Sequence, residues 1–197
     1  HYDEAQYWIW SKNLDWGYFS KPPILAWLIK LNSIVCGDGE VCIRAISPIL
    51  HSLTSIIIFI TSYILTKNIL SSIMSSAIYI FMPGITFSSF MISTDVPLLF
   101  FSTLFGSLFL FIYKSKKDSF FYISLLSILI ALAFLSKYAA AYLILSIFIC
   151  LFFIKDLKSY LIKKKFLFFI VFTIILLLPH FIWNFKNEFV TLTHTVD

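Results

Sequence analysis

Long stretches without a charged side chain constrain this sequence more than any other feature. Six stretches of 17 to 27 residues contain no Asp, Glu, Lys or Arg. A bilayer core of about 30 Å is crossed by roughly 20 apolar residues in a helix, and each stretch is close to that length. The sequence therefore predicts six transmembrane helices. They cover residues 45–66, 68–94, 96–113, 119–136, 138–154 and 166–185.

The composition excludes a water-soluble domain. Hydrophobic residues make up 60% of the chain and charged residues only 13%, about half the share of a soluble protein. The predicted fold class is all-α, a polytopic transmembrane bundle. Residues 1–44 form a first exterior segment, residues 45–185 the six spans, and residues 186–197 the start of a further exterior segment.

The basic residues predict the orientation of the bundle. If the spans alternate, one side receives nine lysines against two aspartates, and the positive-inside rule assigns that side to the cytoplasm. The net charge of +5 therefore needs no nucleic-acid partner, because these lysines face lipid headgroups. The nine are Lys67, Lys114, Lys116, Lys117, Lys155, Lys158, Lys163, Lys164 and Lys165.

The chain begins at His1 with no initiating Met and no apolar run before Asp3. An exterior start requires an earlier span to carry the chain across the membrane. We therefore expect a fragment of a longer protein that has one upstream helix and a further C-terminal portion.

The first exterior segment predicts two helices on the outer membrane surface. Aromatic residues crowd residues 7–10, which suits a helix in the headgroup layer. Residues 15–23 contain Gly17, Pro22 and Pro23 and break this helix. A second helix follows, with Pro at its first turn and one apolar stripe at helical spacing. The stripe consists of Ile24, Trp27, Leu28, Leu31 and Val35.

The three cysteines indicate no structural zinc site, because they form no CxxC pair and no Cys/His spacing. Cys36 and Cys42 lie on the exterior side, where a disulfide is chemically permitted. Spacing alone does not supply the required geometry, so the bridge stays open. Cys150 lies in a span, where we expect a buried packing residue.

Asp95 and Lys137 each stand alone between two apolar runs, at the outer mouth of the bundle. Each either marks a turn in water or has a function, since a charge near membrane depth is costly without a partner. His51 and His180 lie within apolar runs, where we expect hydrogen-bonded histidines of the bundle.

The charged residues at the outer mouth suit group transfer from a phosphate. A carboxylate can deprotonate a hydroxyl, and cations can stabilise a departing phosphate. Tyrosines can add hydrogen bonds to a sugar, or can simply anchor the surface helices. The candidates are the acids Asp3, Glu4 and Asp95, the cations Lys21, Arg44 and Lys137, and the tyrosines Tyr7, Tyr18 and Tyr138.

Five pieces of sequence together resemble the bacterial protein-mannosyltransferase and aminoarabinose-transferase superfamily, glycosyltransferase family 39. They are Asp3-Glu4-Ala5-Gln6-Tyr7-Trp8, Gly17-Tyr18-Phe19-Ser20-Lys21-Pro22-Pro23 with Arg44, Ser93-Thr94-Asp95-Val96-Pro97, Ser136-Lys137-Tyr138 and Trp183-Asn184. The pieces occur in the family's order, each at an exterior position of the predicted topology.

The resemblance implies a GT-C membrane enzyme that moves a sugar from a polyprenyl-phosphate carrier to a lipid or protein acceptor on the periplasmic face of the bacterial inner membrane. It implies that Asp3 is the catalytic base, that Glu4 supports it, and that Lys21, Lys137 and Tyr138 contact the donor. Asp95 matches the acid of the second exterior loop, either as a second acceptor-orienting carboxylate or as a partner of a cation.

Substrate and metal stay open at this point. Gln6 stands where aminoarabinose transferases tend to have Arg, so a strict aminoarabinose assignment does not follow. No cofactor is required by the sequence, although two carboxylates at the mouth leave a divalent cation as an alternative. The competing functions are a transporter or lipid flippase and a structural scaffold subunit. A transporter should show an internal repeat and charged residues at mid-membrane depth, and the sequence shows neither.

Overall fold

The computed structural model describes residues 2–117, 119–153, 164–191 and 193, and all regular secondary structure in this part of the chain is helical. The predicted all-α class is therefore confirmed. The helices are α1 (Tyr2–Lys12), α2 (Ile24–Cys36), α3 (Glu40–Arg44), α4 (Ile46–Thr66), α5 (Ile69–Phe81), α6 (Pro83–Ser88), α7 (Asp95–Ser115), α8 (Phe120–Ser136), a 3-10 turn (Tyr138–Ala140), α9 (Ala141–Phe153) and α10 (Lys164–Lys186).

Among the described residues, three helical segments are long and apolar enough to cross a membrane: Glu40–Thr66, Asp95–Ser115 and Lys164–Lys186. The other three predicted spans contain shorter apolar helices, α5, α8 and α9, of 13, 17 and 13 residues. The stretch 68–94 differs most from expectation because it divides at Met82. Pro83 starts α6, where its missing N–H costs no helical hydrogen bond. Residues 154–163, with three of the predicted cytoplasmic lysines, lie outside the described part.

Tight turns join the helices on the predicted cytoplasmic side. Lys67 and Lys116 end α4 and α7 in the left-handed conformation, each with φ of 54°. Asn68 then caps α5, since its side chain accepts a hydrogen bond from the Ser71 N–H at 3.2 Å. A second link at this end joins α7 to α4, because Lys114 Nζ donates to the Ile64 carbonyl at 3.2 Å.

The long helices pack side by side in the order α5, α4, α7, α8 and α10, each in contact with the next. Apolar side chains of α7 and α8 form a buried cluster that includes Phe105 and Ile130. Burial of apolar surface drives association little within lipid, so packing and hydrogen bonds between helices matter more. The hydroxyls of Thr61 on α4 and Ser107 on α7, 2.6 Å apart, make one such bond.

At the outer end, α1 packs on α2, and both meet the segment that precedes α7. Leu25 and Ile29 of α2 form a buried cluster with Tyr7 and Ile92. Of the predicted apolar stripe on α2, Ile24 is buried in the protein, whereas Leu31 and Val35 are 60% and 82% exposed. The first half of α2 is apolar on all sides, so the face that is buried depends on what packs against it.

Two of the three cysteines are bridged and the third is free. Cys36 and Cys42 form a disulfide that ties the end of α2 to α3. Gly37 follows α2 with φ of 96°, a conformation that favours glycine. Cys150 is exposed on α9, so the prediction of a buried packing residue is wrong. A weakly polar thiol on the surface of a membrane helix is solvated by lipid and needs no protein contact.

Candidate active site

Glu4 and Arg44 form a bidentate ion pair at the outer end of the bundle. Arg44 donates from Nε and Nη2 to the two Glu4 oxygens at 3.1 and 2.7 Å, and its Nη1 contacts Glu40 at 2.7 Å. The Glu4 carboxylate also accepts the Ile92 N–H at 3.0 Å. The pair therefore joins α1 to α3 and to the segment before α7.

The surroundings of Glu4 keep its carboxylate ionised. Burial alone would raise its pKa, but the hydrogen bonds from Arg44 and the Ile92 N–H outweigh that effect and lower the pKa to about 2. A general base at neutral pH works best with a pKa near 7. These contacts favour a supporting role for Glu4 and a structural role for Arg44, whose guanidinium already binds two carboxylates.

Asp95 and Lys137, the two isolated charges of the sequence, contact each other. Lys137 Nζ lies 2.7 Å from Asp95 Oδ1, and the side chains are 36% and 49% exposed. Ser93 Oγ donates to the other carboxylate oxygen at 3.2 Å. Lys137 follows α8 in an extended conformation, so it leaves the helix axis as the chain turns towards α9. The pair thus links the start of α7 to the end of α8.

Tyr7 lies within the electrostatic influence of two of the predicted acids. Its ring is buried in the cluster with Leu25, Ile29 and Ile92. Burial, followed by the negative charges of Asp3 and Asp95, raises the pKa of the Tyr7 hydroxyl to about 12. Asp3 is exposed in the first turn of α1, one turn before Tyr7. The charges of acids on α1 and α7 therefore both act on Tyr7, and the second of these acids, Asp95, pairs with Lys137.

Lys21 lies in the loop of residues 13–23 between α1 and α2, where it is half-buried. Within the described residues, no hydrogen bond or ion pair joins Lys21 to Asp95 or Lys137. The loop nevertheless approaches the same end of the bundle, because Ile24 packs in a cluster with Leu135 near the end of α8. The loop that carries Lys21 therefore lies at the same end of the bundle as Lys137.

Tyr18 serves as an anchor of this loop. Its hydroxyl accepts the Asp15 N–H at 3.1 Å and lies 3.2 Å from the carbonyls of Trp10 and Asn13. The ring stacks on Trp10 with centroids 4.8 Å apart. These contacts favour the anchoring alternative over sugar binding for Tyr18.

Tyr138 and His180 belong to a polar cluster at the outer end of α10. The Tyr138 hydroxyl is 2.9 Å from His180 Nε2, and His180 Nδ1 is 2.6 Å from the Trp16 carbonyl. His51 has two partners as well, the hydroxyls of Tyr79 and Ser88. The prediction that both histidines are hydrogen-bonded is confirmed. The link from His180 to Trp16 was not anticipated, since no local pattern relates residues so far apart in sequence.

A cleft of about 280 Å³ opens beside the Glu4–Arg44 pair, lined by Glu4, Ala5, Trp8, Asp38, Glu40, Ile43, Arg44 and Ile92. Its acids are already engaged, for Lys12 Nζ contacts Asp38 at 2.6 Å. In the part of the chain that the structure describes, no three His, Cys, Asp or Glu side chains are grouped to hold a metal ion.

A membrane-embedded helical bundle whose acids and lysines meet at one end has the features of a membrane transferase. Comparison with known proteins agrees with this class. The chain belongs to the dolichyl-phosphate-mannose-protein mannosyltransferase family, which it matches over residues 20–183. The predicted resemblance is thereby confirmed, and the chain is a multi-pass membrane protein of a glycosyltransferase family. Membership also supports an enzyme over a transporter, flippase or scaffold.

One curated relative is lipid A galacturonosyltransferase RgtD of Rhizobium johnstonii (strain DSM 114642 / LMG 32736 / 3841). It is 31% identical over 196 residues, which is 99% of this chain. The chain spans only 40% of the length of that relative. No solved structure matches the chain.

Proposed function

We propose that the whole protein transfers a glycosyl group from a polyprenyl-phosphate donor to a lipid A-type acceptor, on the periplasmic face of a bacterial inner membrane. The family supports glycosyl transfer from a lipid-linked donor. The name of the relative supports a lipid A acceptor and a uronic acid as the sugar. The basic residues on the opposite side of the bundle support the orientation.

One observation carries the proposal: Asp95 and Lys137 contact each other at 2.7 Å, and Asp3 and Asp95 both raise the pKa of Tyr7 through their negative charge. These residues come from three separate exterior segments. A carboxylate able to accept a proton and an ammonium able to receive a phosphate are the two groups that this transfer needs. The Asp95–Lys137 pair is partly exposed, so both groups remain accessible to a substrate.

In the proposed reaction, an acceptor hydroxyl attacks the anomeric carbon in line with the departing phosphate. The new carbon–oxygen bond forms as the bond to the phosphate oxygen breaks, so the anomeric configuration inverts. The hydroxyl proton passes to Asp3, and the electron pair of the broken bond stays on the polyprenyl phosphate. Lys137, together with Lys21, balances the negative charge of that phosphate.

The remaining residues position these groups. Tyr7 stays protonated and so can donate a hydrogen bond to a substrate, while Tyr138 follows Lys137 directly and fixes the orientation of this link. Glu4 and Arg44 hold α1 in place beneath Asp3. Asp95 keeps Lys137 at the mouth until a donor phosphate competes for the ammonium.

The substitution Asp3→Asn in the full-length protein tests the proposal. We expect transfer of the sugar to fall by about 10²-fold or more, the usual contribution of a general base. Asp38→Asn, on the same face, serves as the matched control and should leave transfer unchanged. Transfer would be measured with a radiolabelled polyprenyl-phosphate sugar and purified protein. Wild-type activity in Asp3→Asn, with normal membrane insertion, would refute the role of Asp3.

A further inference from the structure

His180 connects two segments that carry the lysines of the proposed donor site. Its ring is buried, with 1% exposure. Nδ1 is 2.6 Å from the Trp16 carbonyl, which only accepts, so Nδ1 must carry the proton. Nε2 therefore accepts the hydrogen bond of the Tyr138 hydroxyl at 2.9 Å. Asn184 Nδ2, a second donor, lies 3.1 Å from the same nitrogen.

The first of these segments is the loop of residues 13–23, which carries Lys21. α10 and the residues after it hold this loop at three successive positions. Trp16 accepts from His180, the Gly17 backbone packs on the Trp183 ring, and the Tyr18 carbonyl accepts from Thr191 Oγ1 at 2.6 Å. The loop therefore has a fixed position against α10.

The second segment is the link between α8 and α9, which carries Lys137. Tyr138 follows Lys137 directly, and its hydroxyl is bound by the same His180 ring. Side chains of lysine are flexible, so the distance between two lysine-bearing backbones decides whether one phosphate can meet both. The His180 imidazole is bound to both segments, to one through Nδ1 and to the other through Nε2.

We propose that His180 is a positioning residue that fixes the segments of Lys21 and Lys137 relative to each other, and so sets the affinity for the donor phosphate. The inference rests on the proposed function and assigns to α10 a part in substrate binding. His180 does not touch the substrate in this proposal; it acts through the two segments that do.

The experiment compares His180→Phe with His51→Phe in the full-length protein. His51 is the matched control, because it is also buried and has two hydroxyl partners, yet it joins α4 to α5 and α6. We expect His180→Phe to raise the donor KM about tenfold, with a smaller change in kcat, and His51→Phe to leave the donor KM unchanged. Tyr138→Phe, which loses only a hydroxyl, should raise the donor KM less.

A distance measurement separates positioning from general stability. Spin labels at Phe19→Cys and Tyr142→Cys, both exposed sites, report the two segments in a background without Cys150 and other free thiols. The distance distribution should broaden in His180→Phe and stay narrow in His51→Phe. His180→Asn, which keeps a donor near Nδ1, should recover part of the donor affinity.

The outcomes distinguish the two proposals. An active wild type whose donor KM is unchanged by His180→Phe, or a broadened distance without a KM change, would overturn the positioning role alone. A wild type that transfers no sugar from any polyprenyl-phosphate donor would overturn the proposed function and the positioning role with it.

Discussion

Replacing Lys137 with Met separates a structural ion pair from a catalytic one. Lys137 and Asp95 are 36% and 49% exposed, so water screens their attraction. Exposed pairs of this kind contribute about 0.2–1 kcal/mol to stability. A loss of about 1 kcal/mol lowers the melting temperature by roughly 4 °C or less in a protein of this size. The pair therefore explains little of the stability of the bundle.

The expected effect on transfer is much larger. If Lys137 binds the departing phosphate, the substitution removes the positive charge that stabilises the negative charge developing on that phosphate in the transition state. Removal of one such group typically costs about 10²–10³ in kcat. Lys137→Met should then lose at least a hundredfold in kcat with a melting temperature close to that of the wild type. Thermal unfolding and donor turnover are measured on the same detergent-solubilised samples.

Lys12→Met provides a closely matched control. Lys12 pairs with Asp38 at 2.6 Å, and the side chains are 36% and 55% exposed, almost the values of the Asp95–Lys137 pair. It should show the same small loss of stability and normal transfer. If Lys12→Met and Lys137→Met lost transfer equally, the loss would follow from breaking an ion pair at the outer end, and the phosphate-binding role of Lys137 would be contradicted.

The charge-reversed double variant Asp95→Lys with Lys137→Asp decides between the two roles of Lys137. It restores the ion pair but removes the ammonium from its original position. If the pair is purely structural, the double variant regains transfer that Lys137→Met loses. Recovery to within threefold of the wild type would refute a phosphate-binding role, and continued inactivity with normal melting would support it.

Two further predictions concern stability. Glu4 titrates near pH 2 in the fold against an ordinary value of 4.5, so its stabilising contribution is complete above pH 4.5 and disappears as the pH falls from 4.5 to about 2. Melting temperatures of Glu4→Gln should lack this acid step, and an unchanged step would contradict the assignment. A Cβ at Gly17 overlaps the Trp183 ring, with one ring carbon 2.7 Å away, so Gly17→Ala should lose about 1–3 kcal/mol. Gly106→Ala, whose added Cβ meets open space, should not lose stability through such an overlap. Equal denaturation curves for the two variants would exclude the close contact between Gly17 and Trp183.

Several features of the site follow from the sequence because they depend on local chemistry. Asp95 and Lys137 interrupt apolar runs, and this pattern alone assigned both to the outer mouth. The motif order was sufficient to predict the family. In each case, a residue type and its immediate neighbours carry the information.

Other features needed the tertiary structure. Which residues of α2 are buried is one of them, because Tyr7 and Ile92 pack on Leu25 and Ile29, whereas Leu31 and Val35 stay exposed. Glu4 was expected beside Asp3 as a catalytic neighbour, yet Arg44 and the Ile92 N–H occupy its oxygens.

The sequence by itself determined that the chain forms a membrane bundle, where its charges lie and to which family it belongs. The reason is that the cost of placing a charge in hydrocarbon attaches to each residue separately and is visible in a linear pattern. Only the tertiary structure decided that Lys137 meets Asp95 and that His180 binds both Trp16 and Tyr138. Such pairings join residues 42 and 164 positions apart, and they depend on how helices dock rather than on what any segment contains.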